Sequence, residues 1–440
     1  MDTNALTREL LAFLDASPNS FFAVRNMSDL LLQQGYRRLD EGDAWSLAPG
    51  DRCFLTRNGS SLIAFHLPPE NPVGFQIMAS HSDSPAFRIK TNPVLTVEDR
   101  YLRLNTERYG GMILSTWLDR PLSVAGRVVV RTAEGIESRL VNIDRDLLVI
   151  PSLAIHMDRS VNEGYAFNAQ RDMLPLLGAA GGERSFSALI ADAAECAEMD
   201  LLDSDLFLYN RMPATIFGMD GEFIASGRLD DLECAFASLQ ALLRCEPGAS
   251  VAVHCVFDNE EVGSGTKQGA GSTFLRDTLA RINAALGGTP EDLLRRLSNS
   301  FMASADNAHA LHPNHTEKAD PSNRPRMNGG VVIKFSANQK YATDAVSSAI
   351  FRTLCARAEA PVQSFANRSD LPGGSTLGTI ADATVPVSTV DVGLAQLAMH
   401  SAWETAGARD VGYLVAAARE LFSSAIECRG DGSYAILSAL

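Results

Sequence analysis

The hydrophobic pattern at the start of the chain predicts two helices. Apolar residues recur at helical spacing from Leu6 to about Leu32, and Pro18 interrupts this pattern. Asn19 or Ser20 can then cap the second helix. Short apolar runs follow, and each predicts a buried strand. These runs are Cys53 to Thr56, Ser61 to Leu67 and Gly74 to Ala79.

The pattern changes in the middle of the chain, between about Thr91 and Gly218. Short alternating segments, such as Leu122 to Arg131 and Leu147 to Ile150, indicate strands, and one stretch from Ser185 to Met199 has helical spacing. We therefore predict a β-rich domain at residues 92–218. It would be inserted between the two parts of a larger domain, residues 1–91 and 219–440.

Beyond this segment, long helical patterns alternate with apolar strands. Strands are predicted at Val251 to Phe257, Phe301 to Ala305, Val331 to Phe335 and Val385 to Val390. Helices are predicted at Asp230 to Leu243, Ser272 to Leu286, Pro290 to Leu297, Asp344 to Ala358 and Trp403 to about Ile426. Buried strands that alternate with helices predict an α/β fold, with a mainly parallel sheet sandwiched by helices.

Composition narrows the classes of function. The chain has 440 residues, 46% of them hydrophobic and 21% charged, which is typical of a globular protein. Its formal net charge of -15 and the lack of a basic stripe argue against binding to nucleic acid or an anionic membrane, and no apolar run is long enough to span a bilayer. The amphipathic start of the chain does not resemble a signal peptide, so we expect a cytoplasmic protein. Seven scattered cysteines without a CxxC pair predict neither disulfides nor a zinc–thiolate site.

Histidines and carboxylates are found where several predicted strands end, which is where α/β sheets place their sites. They are His81 with Asp83, Asp230 with Asp231, Glu260 with Glu261, Asp306 with His309, and His400. Zinc accepts mixed imidazole and carboxylate ligands when cysteine is absent. The set is large enough for two metal ions that share one carboxylate.

Taken singly, most of these residues have an ordinary structural interpretation. Asp230 could cap the helix that follows it, and His400 could be a core histidine bonded to a backbone carbonyl. The adjacent Glu260 and Glu261 are the stronger signal. They follow a buried strand directly, and paired carboxylates repel unless a cation or a proton lies between them.

Seven segments, in order and across nearly the whole chain, resemble the M18 aminopeptidases, the family of aspartyl aminopeptidase. They are HSDSP (81–85), LAIHMDR (153–159), GRLDDL (227–232), DNEEVGS (258–264), SADNAHALHPN (304–314), NGGVVIKFSANQKYAT (328–343) and VDVGLAQLAMHSAWE (390–404). The resemblance implies a zinc-dependent aminopeptidase that removes N-terminal residues, with Asp or Glu as candidate side chains, through a metal-bridging water.

The resemblance also implies a role for each matching residue. Two Zn²⁺ ions per subunit, with Mn²⁺ or Co²⁺ as other candidates, would be bound by His81, Asp230, Glu261, Asp306 and His400, with Asp230 as the bridging ligand. Glu260 matches the general base, and Asp83 would orient His81.

Further residues would contact substrate. These are His309, Lys334 and Tyr341, together with His156, which the family presents to a neighbouring subunit and which could contact either metal or substrate. The inserted domain would form dimers that assemble into a dodecamer. Two other functions stay open: a two-zinc deacylase or carboxypeptidase, and a non-catalytic self-assembling scaffold.

Overall fold

The structure, a computed structural model, describes residues 3–437, so the outer ends of the predicted domain at 1–91 and 219–440 lie outside the described residues. The α-helices of this part are α1 Thr3–Ala16, α2 Ser20–Gln33, α3 Ala169–Asp172, α4 Phe186–Ala193, α5 Leu229–Arg244, α6 Phe274–Ala285, α7 Pro290–Ser298, α8 Ala345–Arg357, α9 Leu377–Thr384 and α10 Asp410–Ser423. Short 3-10 helices occur at Leu114–Trp117, Val161–Glu163, Glu198–Asp200, Glu260–Val262 and Thr316–Lys318.

The strands form several sheets. In chain order they are β1 Arg37–Arg38, β2 Arg52–Arg57, β3 Ser61–His66, β4 Phe75–His81, β5 Ala86–Val97, β6 Tyr101–Tyr109, β7 Leu122–Thr132, β8 Gly135–Asn142, β9 Leu176–Ala179, β10 Leu201–Asn210, β11 Thr215–Phe217, β12 Phe223–Ser226, β13 Val251–Phe257, β14 Phe301–Ala305, β15 Ala308–His309, β16 Val331–Phe335, β17 Val362–Ala366, β18 Ser388–Gly393, β19 Ala395–Leu397, β20 Glu404–Gly407, β21 Ala425–Gly430 and β22 Ser433–Leu437.

The main sheet has nine strands in the order β1-β2-β3-β13-β4-β14-β18-β16-β17. Five of its eight neighbouring pairs are parallel, among them the central run β13-β4-β14-β18. Every residue of β3, β4, β13 and β14 is buried, which explains why these strands read as unbroken apolar runs.

Helices cover both faces of this sheet. Helices α1, α2, α5, α8 and α10 pack on one face around side chains such as Phe236 and Phe422. Helices α6 and α9 pack on the other, around side chains such as Phe274 and Leu377. The predicted α/β sandwich is confirmed.

A second sheet has six strands in the order β8-β7-β10-β5-β6-β9, all from the chain between Ala86 and Asn210. It has a hydrophobic core of its own that includes Phe87, Trp117 and Leu206. A smaller sheet, β11-β12-β20-β19-β15, and the terminal pair β21-β22 complete the fold. The division into a larger and an inserted domain at residues 92 and 218 stays a prediction.

Several predicted elements differ from the structure. The helix predicted from Trp403 to Ile426 is wrong at both ends, because β20 pairs with β12 and β19 before α10 begins and β21 follows α10. The predicted strand Leu147 to Ile150 makes only isolated bridges. Among the described residues, the structure contains no helix with the length and apolar character needed to cross a membrane.

Candidate metal centre

Three neighbouring strands of the main sheet deliver most of the predicted site. His81 ends β4, Glu260 and Glu261 lie in the 3-10 helix that follows β13, and Asp306 follows β14. Because these strands are parallel neighbours, their carboxyl ends meet at one edge of the sheet. Asp230 joins them from the first turn of α5, and His400 comes from the loop after β19.

The side chains converge into groups that could hold metal ions. Ligand atoms lie within 4.8 Å of one another in three sets: His81, Asp230 and Asp306; Asp230, Glu261 and His400; and His81, Glu260 and Glu261. Asp230 Oδ1 lies 3.4 Å from His81 Nε2, and Asp230 Oδ2 lies 3.5 Å from His400 Nε2. The two oxygens of Asp230 therefore face two different imidazoles.

Each of these imidazoles is oriented through its other nitrogen. His81 Nδ1 lies 3.0 Å from the carbonyl oxygen of Asp83, and His400 Nδ1 lies 2.7 Å from that of Gly111. A ring nitrogen that donates to a carbonyl leaves the other nitrogen as an acceptor. Nε2 of both histidines is thus left as an acceptor, the form that a metal ligand needs.

Asp83 organises the loop that carries the two glutamates. Its carboxylate accepts the backbone N–H of Glu260 and that of Glu261, each at 3.1 Å, and the hydroxyl of Tyr109 at 2.7 Å. It also lies 3.4 Å from His81 Nδ1. One buried carboxylate therefore fixes both the loop and the imidazole.

The electrostatics of the site favour a cation. Burial and the nearby Asp306 and Asp83 raise the pKa of Glu260 to about 7, although His81 acts in the opposite direction. Burial and Asp230 raise the pKa of Asp306 to about 6 against the lowering effect of Lys334. A dication would relieve this repulsion.

Two carboxylate oxygens of the site, Asp230 Oδ1 and Glu261 Oε1, are buried and have no hydrogen-bond partner among residues 3–437. Buried charged oxygens are normally paired or bound to metal. An oxygen- and nitrogen-rich donor set without cysteine suits zinc. The residues present therefore fit a zinc centre.

The predicted substrate residues lie in different environments. Lys334 is fully buried, donates from Nζ to Asn307 O at 2.8 Å and lies 3.6 Å from Asp306 Oδ2. Its Nζ also stands 5.5 Å from the ring centroid of Tyr341. His309 is exposed and packs edge-on against Phe365.

His156 is not brought into this cluster. It lies on an exposed segment between β8 and the short helix Val161–Glu163, and it belongs to none of the three ligand groups formed by the described residues. Its predicted contact with a metal or a substrate stays a prediction.

Comparison with known proteins identifies the family. The family model of the aminopeptidase I zinc metalloproteases (M18) matches residues 13–422. The chain belongs to the M18 aminopeptidase family.

Relatives and solved structures agree with this assignment. A probable M18 family aminopeptidase 2 of Clostridium novyi is 45% identical over 424 residues, which are 94% of this chain and 98% of the relative. The cryo-EM structure of the Ape4 and Nbr1 complex is similar with a TM-score of 0.92 at 36% identity, covering 96% of this chain and 86% of that one. The S. cerevisiae mApe1 dodecamer is similar with a TM-score of 0.84 at 26% identity, covering 96% and 97%.

Two buried residues of this M18 site were not predicted from the sequence. Glu404 accepts the backbone N–H groups of His400 and Asp230. Asn307 donates from Nδ2 to Leu229 O and to Gln396 Oε1. Both occur within the segments that resemble the family, but their roles depend on contacts between distant parts of the chain. Pattern alone gives no signal for such contacts.

Proposed function

We propose that this M18 metallo-aminopeptidase holds two zinc ions on either side of Asp230. One would be bound by His81 and Asp306 and the other by Glu261 and His400, with Asp230 shared. The observation that carries this proposal is the position of Asp230, whose two oxygens face different imidazoles. Two of the ligand groups have Asp230 in common, and this supports a bridging role.

Glu260 is the proposed general base. Bound zinc would polarise the scissile carbonyl and make the attacking water more acidic. Glu260 would accept the proton from that water and return it to the leaving amine. Asp83 holds the backbone of Glu260 in place and so fixes the position of the base. His309, exposed at the edge of the cluster, would donate to the oxygen that becomes negative.

The substrate is proposed to be a peptide with a free N-terminus, and the preferred first residue is proposed to be Asp or Glu. Lys334 supports this preference because its pKa is raised despite burial, mainly by Asp306 and Tyr341, so that it keeps its positive charge. Tyr341 packs beside the Lys334 ammonium group. Together they would form the floor of the pocket for the first side chain.

Assembly into dimers and then a dodecamer is proposed from the similarity to the dodecameric S. cerevisiae mApe1. The segment around His156 supports a contact between subunits. Its apolar residues Leu153, Ile155 and Met157 are about half or more exposed in the single chain, and a neighbouring subunit would bury them. His156 would then face the metal centre of a neighbouring subunit. We further propose that the protein acts in the cytoplasm.

Hydrolysis of aminoacyl-anilides of Asp, Glu, Leu and Lys tests the function, with wild type and Glu260→Gln both loaded with zinc. Glu260→Gln should retain its zinc and lose roughly 100- to 10,000-fold in kcat. Activity led by Leu or Lys would reject the acidic preference and keep the class. Absence of cleavage with zinc bound would support the deacylase or carboxypeptidase, or the scaffold.

Lys334→Met separates two roles for this residue. If Lys334 contacts the first side chain of the substrate, the variant loses activity toward the Asp and Glu anilides and keeps activity toward the Leu anilide. Its zinc content stays unchanged. If Lys334 serves only as the counter-charge of Asp306, activity toward every substrate decreases and the zinc content decreases with it.

A further inference from the structure

A cavity of about 270 Å³ adjoins the candidate metal centre and lies between the start of α2, the six-stranded sheet and the loop before α5. Its walls include the apolar side chains of Phe21, Trp117 and Phe207. Its volume is just below the range of about 300 to 1,000 Å³ that is usual for small-molecule pockets. The proposed peptidase mechanism does not use this cavity.

Some side-chain donors of the cavity wall are unsatisfied. Among the lining residues that the structure describes, three buried nitrogens have no hydrogen-bond partner: Asn19 Nδ2, Trp117 Nε1 and Arg228 Nε. Trp117 is 4% exposed. Buried donors without a partner are costly, so these side chains would be stabilised by turning toward a ligand that brings acceptor oxygens.

Arg228 adds a positive charge to this wall. Its Nη2 donates to Leu14 O at 3.0 Å, and it forms no ion pair among the described residues. The α2 helix, 14 residues long, also begins at the cavity wall and directs the positive end of its dipole there.

The other charged groups on the wall are already engaged. Asp205 accepts from Arg88 at 2.7 Å and from Arg127 at 2.8 Å, so these three residues neutralise one another in part. The carboxylates of Asp83, Asp258 and Glu404 accept backbone N–H groups. Of the three arginines on this wall, Arg228 is therefore the one that forms no ion pair within the part of the chain that the structure describes.

We infer that this cavity is a binding site for a small carboxylate with an apolar body. The carboxylate would lie against Arg228, Asn19 and the start of α2, and the apolar body against Phe21, Trp117 and Phe207. The volume and the mixture of aromatic and donor groups suit a monocarboxylic acid about the size of phenylacetate.

Occupancy of this site would act on the metal centre. Arg228 precedes Asp230 by two residues in the chain, and Glu404, which also lines the cavity, accepts from the backbones of Asp230 and His400. A carboxylate bound here would therefore adjust the position of two proposed ligands. This part of the inference rests on the proposed function, whereas binding itself does not.

Isothermal titration of zinc-loaded protein with phenylacetate, and with the uncharged phenylacetamide, tests the site. Wild type should bind phenylacetate and bind phenylacetamide much more weakly. Asn19→Asp is the decisive variant, because Asp also caps helices but removes the donor and adds a negative charge. It should weaken phenylacetate binding at least about tenfold. Asn19→Ser keeps a cap without the new charge and should give a smaller loss.

The result has clear alternatives. The inference would be overturned if wild type did not bind phenylacetate, or if it bound the amide equally well. Binding that survives in Asn19→Asp would also overturn it, because the carboxylate would then lie elsewhere, for example on zinc. None of these titrations requires peptidase activity, so the proposed function can fail while the site stands. Coupling is tested separately: phenylacetate should change kcat in wild type and leave Asn19→Asp unaffected.

Discussion

Glu404 holds two proposed metal ligands by their backbones. It is 2% exposed; its Oε1 accepts from His400 N at 2.7 Å, and its Oε2 accepts from Asp230 N at 3.2 Å. His400 has a φ of 68°, a left-handed conformation that a non-glycine residue adopts at a cost. The bond from Glu404 helps to maintain that conformation.

Replacing Glu404 by Gln should weaken zinc binding. An amide has one oxygen, so its NH₂ group would face a backbone donor and one of the two bonds would be lost. We expect zinc affinity to fall about 10- to 100-fold, measured by competition with a chelator. Glu41→Gln, on the surface beside Arg57, is the matched control. Unchanged zinc affinity in Glu404→Gln would contradict a positioning role.

His254 predicts a pH dependence of stability. It is fully buried in β13, its Nδ1 lies 2.8 Å from Ser238 Oγ, and burial lowers its pKa to about 3. Below about pH 6.5 the unfolded chain protonates this imidazole and the folded chain does not. The free energy of unfolding must therefore fall as pH drops from about 6.5 toward 3, and this contribution is fully present above pH 6.5.

The measurement is the melting temperature between pH 7.5 and 4.5 for wild type and His254→Gln. The wild-type value should decrease more steeply below pH 6.5, even if the variant is less stable throughout. Titration of other groups and release of zinc affect both proteins, so the difference between the two slopes isolates His254. Parallel curves would show that His254 does not carry the effect.

At the scale of elements, Asp391 joins two loops to strand β18. This fully buried carboxylate accepts from Ala342 N at 2.5 Å and from Thr376 Oγ1 at 2.6 Å. Ala342 follows Tyr341 directly, so the loop that carries a proposed substrate residue depends on this carboxylate. A change at Asp391 should therefore raise KM for peptides more than it lowers kcat.

Gly378, which lies against this carboxylate, and Gly374, which does not, give a matched test of the contact. A Cβ at Gly378 would collide with both carboxylate oxygens of Asp391, whereas a Cβ at Gly374 would meet nothing within 4 Å. Gly378→Ala should raise KM about tenfold through the displaced loop, equivalent to the loss of one buried hydrogen bond. Gly374→Ala should leave the kinetics unchanged. Equal KM values in both variants would contradict the proposed dependence of the loop on Asp391.

The elements that could be predicted are those whose burial produces a regular hydrophobic pattern along the chain. Strands β4 and β13 are buried on both faces, so their apolar runs and the acidic or imidazole residues at their ends predict the main sheet and its edge. Strand β5 has only two buried residues, Phe87 and Ile89, and an irregular register with β6, so its hydrophobic pattern is weak. Strand β20 looked helical because its pairing with β12 is formed by residues distant in sequence. Glu404 and Asp230 are likewise far apart in sequence, so their contact could not be predicted either.

At the scale of the whole molecule, the proposed role of His156 makes activity a property of neighbouring subunits. If a site needs its own Glu260 and the His156 of a neighbour, Glu260→Gln and His156→Ala should each be nearly inactive alone. In a co-assembled mixture, an active site needs a His156→Ala chain to supply Glu260 and a Glu260→Gln neighbour to supply the imidazole.

With equal amounts of the two chains and random assembly, half of the sites keep Glu260 and half of those face a neighbour that keeps His156. About a quarter of wild-type activity should therefore return, measured on the purified mixed oligomer against each variant alone. If His156 served its own chain, no chain of the mixture would have both groups, and activity would stay at the level of the variants. Full activity in His156→Ala alone would instead remove this histidine from the mechanism and leave the interface with a purely structural role.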